Sequence, residues 1–267
     1  MRVSLIITTY NWSEALELVL KSVNIQKILP NEVIIADDGS KADTKNLINR
    51  YKKIMNTPLI HSWQEDYGFR ASRSRNKAIS KAKYEYIVLI DGDIIMHKNF
   101  ISDHIDNLEK GYFIQGSRVL IGKKKSNDII KKSKLEFSFF ENDIKNRKNT
   151  INNKLLSFMF SNKKDNLKGI RTCNMSFFQE DFIKINGFNE DFNGWGREDS
   201  ELVVRFLNNN IHRKNIRFNC TSYHIWHNEN TRTSLNQNDK ILDNSIKNNL
   251  KYCTNGINNH MKGKTDG

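Results

Sequence analysis

The sequence is short of proline, cysteine and long apolar runs. There are only two prolines and three cysteines among 267 residues. A membrane-spanning helix needs about 20 consecutive apolar residues, and no such run exists. Cys173, Cys220 and Cys253 are odd in number with no close pair, which argues against a disulfide framework or a zinc site and for a reducing cytoplasm. A secretory leader is missing too. "MRVSLIITTYN" lacks a small-residue cleavage site and reads straight into Thr8, Thr9 and Asn11, so it is expected to form a buried first strand. No glycine-rich phosphate-wrapping loop follows that strand, where the chain reads "TTYNWSE". Nor is there a basic helix with base-reading spacing or an RNP-like aromatic strand. Nucleic acid is therefore set aside as a partner, although the formal charge is +13. That excess is carried by lysine in a Lys/Asn/Ile-heavy chain. It fits an anionic small substrate, an anionic membrane surface or a biased composition.

What is present is globular. Hydrophobic residues at 37% suffice for a real core, as one large domain or two fused halves. Short apolar runs predict strands at 3–8, 32–40, 58–64 and 84–96. Helical spacing predicts helices at 13–26, with Ser13 as N-cap, and at 41–54 and 71–82. This β-α-β-α-β-α-β order implies an α/β, doubly wound, mostly parallel sheet flanked by helices. Ligands bind such sheets outside the carboxyl ends of the strands. Those ends carry Thr8, Thr9 and Tyr10, then Asp37 and Asp38, then Asp91 and Asp93. The second half is less regular. Residues 123–166 are basic and Asn-rich with aromatic clusters, as a helical insertion or lid would be. Strand, helix and turn are expected over 169–192, a helix from about 198 to 209, and a strand running into a loop over 218–230. A Lys/Asn-rich, weakly helical tail follows. Residues 239–252 can place Ile241, Leu242, Ile246 and Leu250 on one helical side, as an interfacial helix at an anionic membrane would, or as a helix packed on the domain.

Several clusters bear chemistry. In "LIDGD" two carboxylates one residue apart end an apolar strand. Held at a turn they can converge on a hard divalent cation, and otherwise they are solvated turn residues. In "ADDGS" an aspartate at a strand end can accept from a base N–H or a ribose hydroxyl, or can simply form an Asx turn. Tyr10 can show its ring face to a heterocycle or pack in the core. In "YHIWH", His224 and His227 suit a metal as neutral imidazoles, or are ordinary packed or surface histidines. "GFRASRSRN" sets Arg70, Arg73 and Arg75 near a helix N-terminus, which favours phosphate; the competing assignment is a solvated basic face. "NGWGREDSELVVRFL" crowds Glu198, Asp199 and Glu201 at a helix start beside Trp195. Acids there either cap the helix or include a general base.

Taken in order, "VSLIITTYN", "ADDGS", "YIVLIDGD", "TCNMSFFQEDFIKINGFNEDFNGWGREDSELVVRF" and "HIWH" resemble the family 2 inverting glycosyltransferases of GT-A fold. The second half is similar to the galactosyltransferase/chondroitin-synthase type of acceptor region. The resemblance covers residues 1–118 and 169–230. It implies a nucleotide-sugar-binding half at 1–100, an acceptor-binding half at 101–230 with the insertion 123–166, and a basic tail at 231–267. It implies a UDP-sugar donor, a glycan or glycolipid acceptor and a divalent cofactor, Mn²⁺ or Mg²⁺. By this resemblance Thr8, Tyr10, Asp38 and the adjacent Asp37 hold the uridine, and Arg75 lies near the base or diphosphate. Asp91, followed by Gly92, reaches the ribose or sugar. Asp93 and His227 ligate the metal, with His224 at a position that also ligates in some relatives. Trp195, Gly196 and Arg197 line the acceptor site, with the glycines letting sugar rings approach the tryptophan. Asp199 is the base and Glu198 holds an acceptor hydroxyl. The rivals are another nucleotide-sugar enzyme, such as a nucleotidyltransferase, or a non-catalytic carbohydrate-binding module. The expected location is the cytoplasm, with peripheral contact at the inner face of the membrane as the tail's contribution.

Overall fold

The computed structural model describes residues 1–228 and 233–261. Glu229 and Asn230 of the expected 218–230 segment, and 231–232 and 262–267 of the expected tail, lie outside the described residues. The first half alternates as the sequence predicts: β1 (Val3–Thr9), α1 (Ser13–Asn24), β2 (Glu32–Asp37), α2 (Ala42–Tyr51), β3 (Leu59–Trp63), α3 (Ala71–Ile79) and β4 (Tyr86–Asp91). The chain continues through β5 (Ile94–Met96), α4 (Phe100–Asn107), β6 (Tyr112–Gln115), β7 (Ser117–Ile121), α5 (Lys123–Lys132), β8 (Ile144–Lys145), α6 (Lys154–Phe160) and β9 (Asn162–Lys163). It ends with β10 (Asn174–Phe178), α7 (Gln179–Lys184), α8 (Glu198–Asn208), β11 (His212–Asn215), β12 (Thr221–His224), α9 (Leu235–Lys247) and α10 (Asn258–Met261).

The large sheet has the order β3-β2-β1-β4-β10-β6-β11-β9. β1 to β4 pair in parallel. β10 runs antiparallel to both β4 and β6, which puts β6 and its parallel partner β11 back in the direction of β4. The sheet is thus mostly parallel, with β10 and β9 reversed. Both faces are buried, which explains the unbroken apolar runs. On β1, Leu5 and Ile7 pack under α1 and α2, while Ile6 faces the other way onto α3, α7 and α8.

Three expectations change. The run 84–96 is two strands: β4 belongs to the large sheet, and β5 joins a second sheet ordered β5-β12-β7-β8. Ser13 is the first helical residue of α1, whose cap position is Trp12. The tail is part of the body. α9 buries Asn238, Leu242 and Ser245, and Asn186 anchors the following segment through the Cys253 carbonyl and the Asn258 backbone N–H and side chain. Among the described residues no helix is long and apolar enough to cross a membrane.

A buried polar chain ties the two sheets together. Asn174 on β10 donates from Nδ2 to the carbonyls of Ser117 and Cys220, on the second-sheet side. Its Oδ1 accepts from His104 Nε2 at 3.1 Å. The neutral ring then takes the Ser176 hydroxyl hydrogen at Nδ1, and Tyr86 donates to Ser176. Burial, against a smaller opposing effect of Asn174, pulls His104 from 6.5 to about 4. Between those values the folded chain binds fewer protons than the unfolded one. The stabilisation is therefore complete above about pH 6.5 and is lost as pH falls through the window toward 4. Across it, wild type should lose roughly 1 kcal/mol per pH unit more than a His104→Gln variant in urea denaturation. Asp103, which burial raises to about 6, titrates in both proteins and cancels in the difference. Parallel stability curves would refute a neutral, buried His104.

Candidate active site

The parallel strand ends converge on Arg75, which α3 delivers into the interior at 5% exposure. Its Nε donates to Thr8 Oγ1 at 3.2 Å and its Nη2 to Asp91 Oδ1 at 3.1 Å. Nη1 lies 3.5 Å from Asp199 Oδ1 and 3.7 Å from Glu198 Oε1. Burial would lower the Arg75 pKa, but Asp91, Asp199 and Glu198 more than offset this and hold it above the ordinary arginine range. One cation against three carboxylates leaves negative charge in excess, and two of the acids respond. Burial and then Asp199 push Glu198 up to about 7. Burial, with Asp93 and Asp199 adding, raises Asp91 against the pull of Arg75.

The acids that open α8 are not helix caps. The cap position is Arg197, and no side chain caps the helix end. Glu198 Oε2 accepts from the Gly196 backbone N–H. Asp199 accepts from Thr172 twice, at Oδ1 from the hydroxyl (2.7 Å) and at Oδ2 from the backbone N–H (3.0 Å). Glu201 forms a buried fork with Arg205 at 2.8 and 2.7 Å. The backbone before the helix is left-handed at Gly194 (φ 72°), Gly196 (φ 110°) and Arg197 (φ 77°).

Asp91 and Asp93 go to different partners. Asp91 ends β4 and meets Arg75. The chain then crosses at Gly92, whose N–H bonds the Thr8 carbonyl at 2.6 Å; a Cβ there would stand 2.9 Å from that oxygen. Asp93 leads into β5, which pairs with β12, and so meets the histidines at the end of β12. His224 Nε2 and His227 Nε2 lie 3.3 and 3.2 Å from Asp93 Oδ2. Ligand atoms of the three residues lie within 4.8 Å of one another. Burial would raise Asp93, but bonds from the two histidines hold it below the usual carboxylate range. The bond to Asp93 raises His227 to about 9. Asp93 Oδ1 is buried with no hydrogen-bond partner, and the His227 ring is oriented by an Nδ1 bond to the Asn228 carbonyl. Two imidazoles, a carboxylate with an orphaned oxygen and an orienting carbonyl fit a divalent cation.

The remaining candidates separate into those at the cleft and those turned away. Asp38 sits at the β2 end, accepting from Gln64 Nε2 (2.6 Å) and the Arg70 backbone N–H (2.7 Å). Tyr10 is half exposed and donates to Asp66 Oδ2 at 2.8 Å. Trp195 is partly exposed. Asp37 turns inward: its side chain is 0% exposed and bonds the Ser40 N–H and His61, bracing the turn. Arg75 directs its nitrogens into the acid cluster beside Asp91. Arg70 and Arg73 do not join it; they line a separate cavity of about 370 Å³ with Glu190 and His260. Arg197 turns to Asp239 on α9, Nε to Oδ1 at 2.5 Å. The flanking glycines also make room for the start of α9. A Cβ on Gly194 would meet Ser234 Oγ at 2.4 Å, and one on Gly196 would meet Leu235 at 3.2 Å. Sequence reasoning passed over Thr172 and Gln64, which hold Asp199 and Asp38. Both lie beside strand ends, and only their partners distinguish them from ordinary turn residues.

A family model described as glycosyl transferase family 2 matches residues 4–184, and one described as the N-terminal domain of galactosyltransferase matches 155–228. The chain is 26% identical over 241 residues to a chondroitin synthase of Escherichia coli, covering 83% of this chain and 34% of that protein. It is 28% identical over 220 residues to a hyaluronan synthase of Pasteurella multocida, covering 76% and 22%. The chain thus spans about a third or less of these relatives' length. In structure it resembles S. aureus TarS 1–349 in complex with UDP, with a TM-score of 0.63 at 16% identity over 93% of this chain and 66% of that one. It also resembles the mannosyltransferase PcManGT of Pyrobaculum calidifontis in complex with GDP-Man and Mn²⁺, with a TM-score of 0.55 at 16% identity over 84% and 56%. These likenesses establish the GT-A fold.

The three-residue cluster makes a binding prediction. Mn²⁺ titrated calorimetrically into the full chain should bind at one site. Asp93→Ala and His227→Ala should each weaken it by about tenfold or more, in line with the loss expected when part of a metal site is removed. Wild-type affinity in both variants would dissolve the site.

Proposed function

The chain belongs to glycosyl transferase family 2, and on that premise we propose that it moves a sugar from a UDP-sugar to a hydroxyl of a glycan acceptor with inversion at the anomeric carbon. The observation that carries this reading is the Arg75 cluster. It sets Asp91, Glu198 and Asp199 around one guanidinium, with Asp93 and its histidines next along the chain from Asp91. The names of the relatives, chondroitin synthase and hyaluronan synthase, support a polysaccharide acceptor, such as a bacterial surface polysaccharide or lipopolysaccharide. The UDP in the TarS complex supports the donor.

In this reading residues 1–100 bind the donor and 101–230 the acceptor. Asp38 and Tyr10 take the uridine at the ends of β2 and β1. Asp91 accepts from the ribose or the transferred sugar. Asp93, His227 and His224 hold Mn²⁺ or Mg²⁺, which when bound supplies positive charge against the diphosphate leaving group. Trp195 gives a sugar ring a flat apolar face. Glu198, whose carboxyl burial and Asp199 push up to about 7, holds an acceptor hydroxyl. Asp199, fixed by both bonds from Thr172, takes the proton of the attacking hydroxyl. That oxygen bonds to the anomeric carbon on the face opposite the departing diphosphate, so one displacement inverts the centre. Three free, buried thiols support a reducing, cytoplasmic setting.

Two outcomes test the scheme. Excess chelator should abolish transfer, and Mn²⁺ should restore it; full activity in chelator would exclude a metal role. Asp199 accepts twice from Thr172 and faces Arg75, so a merely structural Asp199 would show in Asp199→Asn as lost stability together with weakened UDP binding. As base, Asp199→Asn should cost about 10²-fold or more in kcat with UDP affinity little changed. Glu198→Gln should instead raise the acceptor KM. The reverse pattern would move the base to Glu198.

A further inference from the structure

A second cleft, of about 650 Å³, opens where β6, β7 and β11 meet the segments 146–149 and 168–171. Seven of its sixteen lining residues are Lys or Arg, and none is Asp or Glu. Most of the rest are amides. With 30 acidic residues in the chain, a lining wholly without acids is not explained by basic composition alone. Among the described residues, none of these seven side chains takes part in an ion pair. Several lysines elsewhere on this half do find carboxylates, among them Lys125, Lys154, Lys163 and Lys214.

The floor is built rather than incidental. Arg213 is 4% exposed, and its Nη1 donates to the carbonyls of Asn166 and Lys168. The Nε atoms of Arg213 and Arg118 are both buried without a partner. Burial, then the neighbouring Arg118, holds Arg171 below its ordinary range, and burial, then Arg171, does the same to Arg213. Three guanidiniums crowd together, and among the described residues no carboxylate stands within ion-pair distance of them. The cost of this repulsion falls when an anion enters. The cleft also touches the reaction centre. Arg171 precedes Thr172, which holds both oxygens of Asp199, and Arg118 Nη1 lies 3.5 Å from Cys173 Sγ.

We propose that this cleft is the acceptor subsite for an anionic glycan, a chain bearing a carboxylate or phosphate on its repeating residues. The proposal rests on the transferase reading and narrows its acceptor. The buried Arg213 and the half-buried Arg118 and Arg171 receive the anion nearest the attacking hydroxyl. The exposed Arg147, Lys168 and Arg217 at the rim meet the next along the chain. Guanidinium forks suit both carboxylate and phosphate, while the amides between them serve the sugar hydroxyls.

The test is calorimetric titration of the full chain with four probes of matched length: an oligogalacturonate, an oligo(glycerol phosphate), a maltooligosaccharide and an oligo(dT). At least one of the two anionic probes should bind, less tightly as salt rises, and the uncharged one should not. Binding of the galacturonate alone assigns the subsite to carboxylate, and of the glycerol phosphate alone to phosphate. The triple variant Arg147→Gln/Lys168→Gln/Arg217→Gln, confined to exposed side chains, should weaken the binding probe tenfold or more with UDP affinity unchanged. Equal binding of the uncharged probe, no effect of the triple variant, or tighter binding of oligo(dT) than of either anionic glycan-type probe would each overturn the proposal. An equal loss of UDP affinity in the variant would place the donor's diphosphate in the cleft and overturn it as well. UDP titrated alone reports on the donor reading separately: a chain that takes the anionic probe and not UDP would refute the donor and keep the subsite.

Discussion

Taking a guanidinium to 5% exposure costs several kcal/mol unless partners meet it, and at Arg75 those partners are carboxylates. Arg75 therefore cannot reach its position until the end of β4 and the start of α8 have both arrived. Asp91 comes from sixteen residues away and Asp199 from 124. The cluster is at once a folding constraint and the site's electrostatic centre. It is also unbalanced, with three acids to one base, and the excess shows as the upward shift of Glu198 and Asp91. Positive charge brought nearby, by a cation at Asp93 or by the arginines beyond Thr172, relieves the same excess. Donor site, proposed base and basic cleft thus share one field.

The loop before α8 is held under similar constraint. A non-glycine residue with φ of 77°, as at Arg197, costs of order 1 kcal/mol or more and persists only where its surroundings impose it. Here α9 imposes it. Asp239 takes the Arg197 side chain, and Asn238 donates to the Gly196 carbonyl at 2.9 Å. Ser245 of the same helix also reaches Glu201. The segment that reads in sequence as a basic tail therefore sets the aim of Glu198 and Asp199. Its side with Asn238, Leu242 and Ser245 is used up against the body, leaving Ile246 exposed.

What was legible in the sequence follows from range. Strands buried on both faces write themselves as apolar runs, so β1 to β4 and their helices could be read locally. The acids at their ends stood out because a buried strand has no other reason to finish on a charge. The partners could not be read, since Thr172, Gln64 and Arg75 gain meaning only from contacts made by folding. Nor could the glycines' packing be read. "GWG" suggested access for a sugar; that the space a Cβ would need is filled by Ser234 and Leu235 is written far along the chain. The three arginines of "RASRSR" looked alike on one helix. Their helical phase sends Arg75 inward and leaves Arg73 outside, bonded to Gln64.

The turn at Asp91-Gly92-Asp93 shows how one short motif can serve two masters. Had β4 run on to Met96 as a single strand, the two aspartates would have shared one face and repelled each other beside Arg75. Instead the chain leaves the large sheet at Asp91 and enters the second sheet at Ile94. The Thr8 carbonyl pins the crossing, and the close approach there demands glycine. Each carboxylate then takes its partners from a different sheet: Arg75 for Asp91, and the β12 histidines for Asp93. The Asn174–His104–Ser176–Tyr86 chain that fastens the sheets to each other consequently fixes how far apart Asp91 and Asp93 stand. A change at that seam would move the two halves of the site relative to each other without touching either.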